Sequence, residues 1–292
     1  MARLRSVPIL LLCLAFGSAS LGCKKKPAAE EGPGSATASP SAEGSAVTAE
    51  PSPATPSGPA ITAAATPEEA LAAPDRPEAD KALDAGRKPA ELLTFLKVGA
   101  GMKVADLFAG GGATVELLAR VVGPTGVVFG QNTKEILEKF AEKPWTERLA
   151  RLASPFIVRV DRSLDDPLPP EATDLDLVLM HLVYHDTVWL EVDRAAMNAA
   201  IFKALKPGGE LAIIDHSAKD GAGVTNVKDL HRIEAKVVQA EVEKAGFVLD
   251  RTSDLFKHPE DTRDWSASPS AAADKRGTSD RFVLVFKKPA AP

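Results

Sequence analysis

Past residue 88 the chain alternates short, nearly continuous apolar runs with longer stretches in which apolar residues recur every three or four positions. The runs read as buried strands and the stretches as amphipathic helices. Lys103 to Ala109, Gly126 to Gln131, Phe156 to Val160, Leu175 to Val183 and Glu210 to Asp215 are predicted strands. Thr114 to Val122, Lys134 to Glu142 and Val188 to Leu205 are the helices between them, the last stopped by Lys206-Pro207-Gly208-Gly209. A short helix with proline in its first turn, Pro89-Ala90-Glu91-Leu92-Leu93, and a Gly99-Ala100-Gly101 break precede the first strand. Strands apolar on both faces and alternating with helices predict an α/β, doubly wound, mostly parallel sheet. The end differs: helix Lys228 to Ala245 leads into strand Phe247 to Phe256, and strand Arg281 to Lys287 follows with no helix between. Successive strands without a crossover helix pair most easily antiparallel. A seven-stranded sheet with an antiparallel last strand is therefore expected.

The first quarter lacks any such pattern. Pro27 to Pro74 is mostly Ala, Pro, Ser, Thr, Gly and Glu, with Ile61 and a few scattered Val and Leu as its larger apolar groups, too few to bury a core. The 292 residues thus divide into a leader over 1–23, a disordered tether over 24–75 and one domain of ordinary size over 76–292. In the leader, Arg3 and Arg5 precede the apolar run Val7 to Phe16 and small residues ending in Ser20-Leu21-Gly22-Cys23, the layout of a secretory signal peptide. The run is too short to span a membrane as a mature helix. Gly22-Cys23 resembles the cleavage site of bacterial lipoproteins, which implies lipidation at Cys23 and an exported domain anchored in a cell envelope, facing the periplasm. Cys13 and Cys23 are the only cysteines, so the domain holds no disulfide and no thiolate metal site. A net charge of -5, with no basic block beyond Lys24-Lys25-Lys26, argues against nucleic acid and leaves a small-molecule or protein substrate.

The strongest chemical signal is Val104 to Thr114, an apolar strand entering a Gly110-Gly111-Gly112 turn and then a helix. Glycines there let a ligand approach the backbone, and the helix start offers free N–H groups and a positive dipole end. That context points to a nucleoside-like cofactor. The opening Asp106-x-x-x-Gly110-x-Gly112, Leu205-Lys206-Pro207-Gly208-Gly209 and Ala245-Gly246-Phe247 resemble class I S-adenosylmethionine-dependent methyltransferases over about residues 80 to 288. Val183-Tyr184-His185-Asp186, Asp215-His216-Ser217-Ala218, Leu230-His231-Arg232-Ile233, Arg263-Asp264-Trp265 and Arg276 to Phe282 look like a group of predicted bacterial methyltransferases of unknown substrate.

The resemblance implies S-adenosyl-L-methionine as cofactor. The backbone at Ala109, Gly110 and Gly112 would lie against its methionine part, with Asp106 holding its amino end or the turn. Most relatives carry an acid after the second strand to bind both ribose hydroxyls. Here the segment is Gly130-Gln131-Asn132, so Asn132 would take the ribose, without the charge that strengthens such bonds. Asp161, Arg162 and Ser163 fall where relatives contact adenine.

Methyl transfer needs an acceptor held in line with the methyl group and, for a hydroxyl or amine, a base nearby. The fourth strand ends in His181-Leu182-Val183-Tyr184-His185-Asp186, at the carboxyl edge where open sheets bind ligands. His185 is a candidate base near neutral pH, with Tyr184, the only tyrosine, to orient a substrate. His181 and Tyr184 would alternatively pack beneath the cofactor, and His216 has a claim similar to that of His185. No metal is expected, because His181 and His185 do not share a helical face if the strand runs to Val183. Lys257 to Ser279 is long for a hairpin and reads as a lid or clamp in which Arg263, Trp265 and Arg276 grip an anionic or planar substrate. His231 and Arg232 face either the site or water. A rival reading is a non-catalytic exported domain that captures an adenosyl or other small ligand. A nicotinamide dehydrogenase fits the glycine turn but not the closing strand pair.

Overall fold

The computed structural model describes residues 61–290. The expected signal peptide, the expected lipidation site at Cys23 and the expected tether up to residue 60 lie outside the described residues. The folded body begins earlier than expected. Helix α1 (Pro67–Leu71) opens with Thr66 accepting the Glu69 N–H on its side chain, and it buries Ala70 completely. Upstream, the Ile61 N–H donates to Leu152 O at 3.2 Å and the Ala64 N–H to Arg120 O at 2.8 Å. Residues 61–75, assigned above to the tether, therefore pack on the domain. Their apolar groups are small and sparse, and backbone hydrogen bonds hold them where periodicity shows nothing.

Helices α2 (Glu78–Arg87) and α3 (Pro89–Phe95) lead into the sheet, whose strands are β1 (Lys103–Leu107), β2 (Val127–Asn132), β3 (Ile157–Asp161), β4 (Leu175–His181), β5 (Leu205–His216), β6 (Val248–Ser253) and β7 (Arg281–Lys287). Between them run α4 (Ala113–Val122), α5 (Lys134–Ile136) continuing through a π-helical turn into α6 (Glu142–Leu152), α7 (Asp186–Trp189), α8 (Arg194–Ala204), α9 (Val227–Leu230) and α10 (Ala235–Lys244). The seven strands are ordered β3-β2-β1-β4-β5-β7-β6. Only β7 runs against the rest, antiparallel to both β5 and β6. The alternation of each strand sorts its side chains onto two cores. Val104, Val128, Leu177 and Val285 join α3, α4 and α6 on one face; Ala105, Phe129, Val178 and Phe286 join α8 and α10 on the other.

Two predicted helices are broken in the structure. The stretch from Val188 divides into α7 and α8, with Glu191 left-handed between them at φ 57°. The stretch from Lys228 stops at His231, also left-handed at φ 50°, before α10 begins. The second break has a clear cause. Arg232 is fully buried and pairs with Asp261 at 2.8 Å, while the Ile233 N–H donates to His216 O and the Ala218 N–H donates to Ile233 O, both at 3.0 Å. Sheet-like bonds to the end of β5 outweigh the helical spacing, and they carry His231 to the carboxyl edge of the sheet.

Candidate active site

The chain leaves β1 toward β2 and β3 on one side and returns to β4 and β5 on the other, a reversal that opens a crevice at the carboxyl ends of the strands. A cleft of about 720 Å³ lies there, of a size suited to a cofactor or substrate. Its floor is formed by Asp106, the turn Ala109 to Gly111 and His181; α2 and the segment Ala267 to Gly277 form its roof. The two halves of the roof meet backbone to backbone, since a Cβ on Gly86 would stand 3.0 Å from Gly277 Cα.

The glycine turn is held from below by both amides that end β2. Gln131 Oε1 accepts the Phe108 N–H at 3.0 Å, and its Nε2 donates to Arg162 O at 2.7 Å. Asn132 Oδ1 accepts the Gly110 N–H at 2.8 Å while Nδ2 donates to Gly110 O at 3.0 Å. Both side chains are fully buried. Asn132 therefore braces the turn and does not face a ribose, correcting the expectation; an amide is used because one group must both accept and donate. Gly110, at φ 56°, has nothing within 4 Å of where a Cβ would stand and borders the cleft. Gly112, at φ 77°, does not: a Cβ there would lie 2.1 Å from Trp145, so this glycine serves packing instead of cofactor approach. Asp161 is exposed and paired with Arg159, Ser163 is exposed, and neither borders the cleft, which ends short of the expected adenine position.

Asp106 and Arg87 are the most telling pair. Asp106, at the end of β1, is 3 % exposed, and burial pushes its carboxyl up to about 7, with the Arg87 charge holding it back. Arg87, the last residue of α2, is itself lowered by burial and by the nearby Arg276 charge. Among the described residues neither side chain has a hydrogen-bond partner, so a buried carboxyl and a half-buried guanidinium both face the cleft, each offset by the other's charge but bonded to nothing. Arg276 also borders the cleft, as does Arg281 at the start of β7, which stacks on Phe256 at 4.6 Å and is lowered to about 10 by burial and Arg87.

His185 is 2 % exposed and anchored by Asp215, which is fully buried. Asp215 accepts the His185 N–H on Oδ2 at 2.7 Å, and its Oδ1 lies 2.7 Å from His185 Nδ1 and accepts the His216 N–H at 2.7 Å. Burial would lower this imidazole, but Asp215 and Asp186 outweigh it and push it up to about 10. Both ring nitrogens are engaged, Nδ1 by Asp215 and Nε2 by Asp186 and His231, so His185 is not the free base expected of it. His216 is the opposite case. Burial, then the charges of His185, Arg281 and Arg232, hold it well below the usual histidine range, and it borders the cleft with Nδ1 2.7 Å from Ser279 Oγ. His181 is likewise held low by burial and by Arg87 and Arg281, and its Nε2 has no partner among the described residues.

Tyr184 does not reach the cleft. It is fully buried, donates to Glu241 Oε2 at 2.9 Å and accepts from Asn198 Nδ2 at 3.1 Å, so it fixes α8 and α10 beneath β4 and cannot orient a substrate. Arg263 is likewise spent, donating to Asp280 at 2.7 Å and to Ala218 O. Trp265 is stacked by Arg232 at 4.6 Å and by Lys275 at 5.3 Å, and it too lies off the cleft. Of the three predicted substrate residues, Arg276 alone borders it. Arg87 and Asp186, not among the residues expected at the site, also border the cleft. The acids early in Glu78–Arg87 and the arginine at its end are a helix signature that was open to reading. His231, left between site and water, reaches the cleft.

No family model matches the chain. Among solved structures, the fold is similar to a SAM-dependent methyltransferase from Aquifex aeolicus, 17% identical, covering 73% of this chain and 98% of that one with a TM-score of 0.50. It is also similar to a chain in the complex of the Haloferax volcanii Trm112 methyltransferase activator with a methyltransferase, again 17% identical, covering 73% and 94% with a TM-score of 0.51. The likeness is one of fold, and with the strand order above it defines the Rossmann-like class I methyltransferase fold.

Proposed function

We propose that the protein is an S-adenosylmethionine-dependent methyltransferase acting on a small anionic acceptor, exported and held at a membrane by a lipid on Cys23. The observation that carries the activity is the Asp106 and Arg87 pair. A buried carboxyl and a guanidinium, each without a hydrogen-bond partner among the described residues and both beside an open glycine turn, match the ammonium and carboxylate of a free amino acid end. The cofactor supplies a methyl group on a positively charged sulfur. Asp106 and Arg87 would hold its amino acid end, leaving the cleft between that seat and His216 for the acceptor. Arg276 and Arg281 give that space a positive lining suited to a carboxylate or phosphate. His216, uncharged at neutral pH, would accept a hydrogen bond from the acceptor, or the proton its hydroxyl or amine loses as the bond to the methyl carbon forms and the carbon–sulfur bond breaks. Positioning carries most of the rate in such a transfer.

Calorimetric titration of the purified chain with S-adenosylmethionine, S-adenosylhomocysteine and NAD tests the reading. The first two should bind and NAD should not. Arg87→Ala should weaken both by roughly 10-fold or more, as loss of a charged hydrogen bond does. A folded chain that binds neither compound would overturn it. For the anchor, Cys23→Ser should move the chain from the membrane fraction to the soluble one, and unchanged membrane recovery would remove that part.

A further inference from the structure

At the foot of the cleft three polar atoms converge from the start of α7 and the residue that ends α9. His185 Nε2 lies 3.1 Å from His231 Nδ1 and 3.1 Å from Asp186 Oδ1, and the last two are 3.6 Å apart. Two ligands bound tetrahedrally at about 2.0–2.1 Å stand roughly 3.3–3.4 Å apart, so the triangle has the size of one face of such a coordination shell. We infer that His185, Asp186 and His231 form a site for one divalent transition-metal cation of the zinc class, with the remaining coordination position open to the cleft.

The surroundings are built for that use. The carboxylate of Asp215, fixed by two backbone N–H groups, holds His185 Nδ1 and so aims Nε2 at the other two ligand atoms. This is the carboxylate–histidine support that orients metal-bound imidazoles. His231 sits in the left-handed region at φ 50°, a conformation a non-glycine residue keeps only when its surroundings enforce it. The enforcement comes from the Val227 carbonyl, which accepts its N–H at 3.1 Å, and from the buried Arg232 and Asp261 pair that follows. Asp186 Oδ1 is steadied by the Trp189 Nε1–H at 2.9 Å. Two ring nitrogens and a carboxylate turned toward one point need a positive charge among them, either a proton or a metal ion. Two imidazoles and one carboxylate suit zinc, iron, cobalt or nickel, and not magnesium or calcium, which prefer an all-oxygen shell. The site stands on this geometry and does not depend on the methyltransferase reading.

The test is direct metal titration of the full chain after chelator stripping, with Zn²⁺ followed by calorimetry and Co²⁺ by its visible d–d absorption. One equivalent of either should bind, and the cobalt bands should disappear on adding zinc. His231 is partly exposed, so His231→Ala should fold, as its thermal transition will show; it should weaken binding by about 100-fold or more, beyond the roughly 10–100-fold typical of losing a supporting residue. Asp215→Asn should fall in that lower range. Absence of saturable binding by the folded wild-type chain would overturn the site, as would unchanged affinity in His231→Ala. So would nitrogen-15 spectra showing both His185 ring nitrogens still protonated with one equivalent of zinc present. None of these readouts requires S-adenosylmethionine, so failure here and failure of the proposed activity are separate results.

Discussion

Asp106 is held in the folded chain at a cost that a ligand can relieve. Its carboxyl is raised from 3.8 to about 7, so the folded state binds more protons than the unfolded one between these values. The sign follows from linkage: its contribution to stability is full below about pH 4 and is lost as pH rises through 7. Asp106→Asn should therefore be more stable than the wild type at pH 8, with the gap closing toward pH 4, by chemical denaturation at both values. The same variant should bind S-adenosylmethionine at least about 10-fold more weakly. Because an ammonium needs the ionised carboxylate, binding near pH 6 should release a proton, seen as a heat that changes with the buffer's ionisation enthalpy. Asn132 makes the opposite prediction from the one its position in the sequence suggests. Asn132→Asp loses the donor to Gly110 O and sets two oxygens against each other, so stability should fall by about 1–3 kcal/mol with no gain in cofactor affinity. The amide was legible as a departure from an acid, but its use was not, because only the fold shows that Gly110 offers both a donor and an acceptor within its reach.

Elements place these residues, and α2 does so through charge. Glu116 of α4, 1 % exposed, pairs with Arg120 at 2.8 Å and with Arg148 and Arg151 of α6; Arg148 also meets Asp80 of α2 at 2.8 Å, and Arg120 meets Asp75 at 2.8 Å. Burial would raise the Glu116 carboxyl, yet the arginines hold it below its ordinary value. Glu116→Ala leaves several arginines clustered without their shared anion. It should cost roughly 3–5 kcal/mol in thermal or denaturant unfolding, the range for breaking a buried pair. The strands were readable because runs such as Leu177 to Met180 are apolar on both faces, and β7 lies where its pattern placed it. The break at His231 was not readable, since residues 228–245 keep a helical spacing and the interruption is imposed by Asp261, Ser217 and the end of β5, all distant in sequence.

At the scale of the molecule, the sheet order and the cleft follow from the alternation of strands and helices, while the partition of charged side chains between cleft and scaffold does not. Arg263 and Arg281 lie on the same closing segment, yet one is bound to Asp280 and the other borders the cleft. The placement of β7 has a further consequence. Among the described residues, the strand latest in sequence is an interior one, inserted between β5 and β6, so the sheet cannot be completed until residues 281–287 are available. Its contacts with β5 span about 70 residues of sequence, the kind of pairing that slows folding. A chain ending at Asp280 should keep helical signal in far-ultraviolet circular dichroism but lose a cooperative thermal transition; a sharp transition in that truncation would refute the dependence. During synthesis the facing edges of β5 and β6 then stay unpaired until residues 281–287 have emerged, an open strand edge of the kind that invites pairing with another chain.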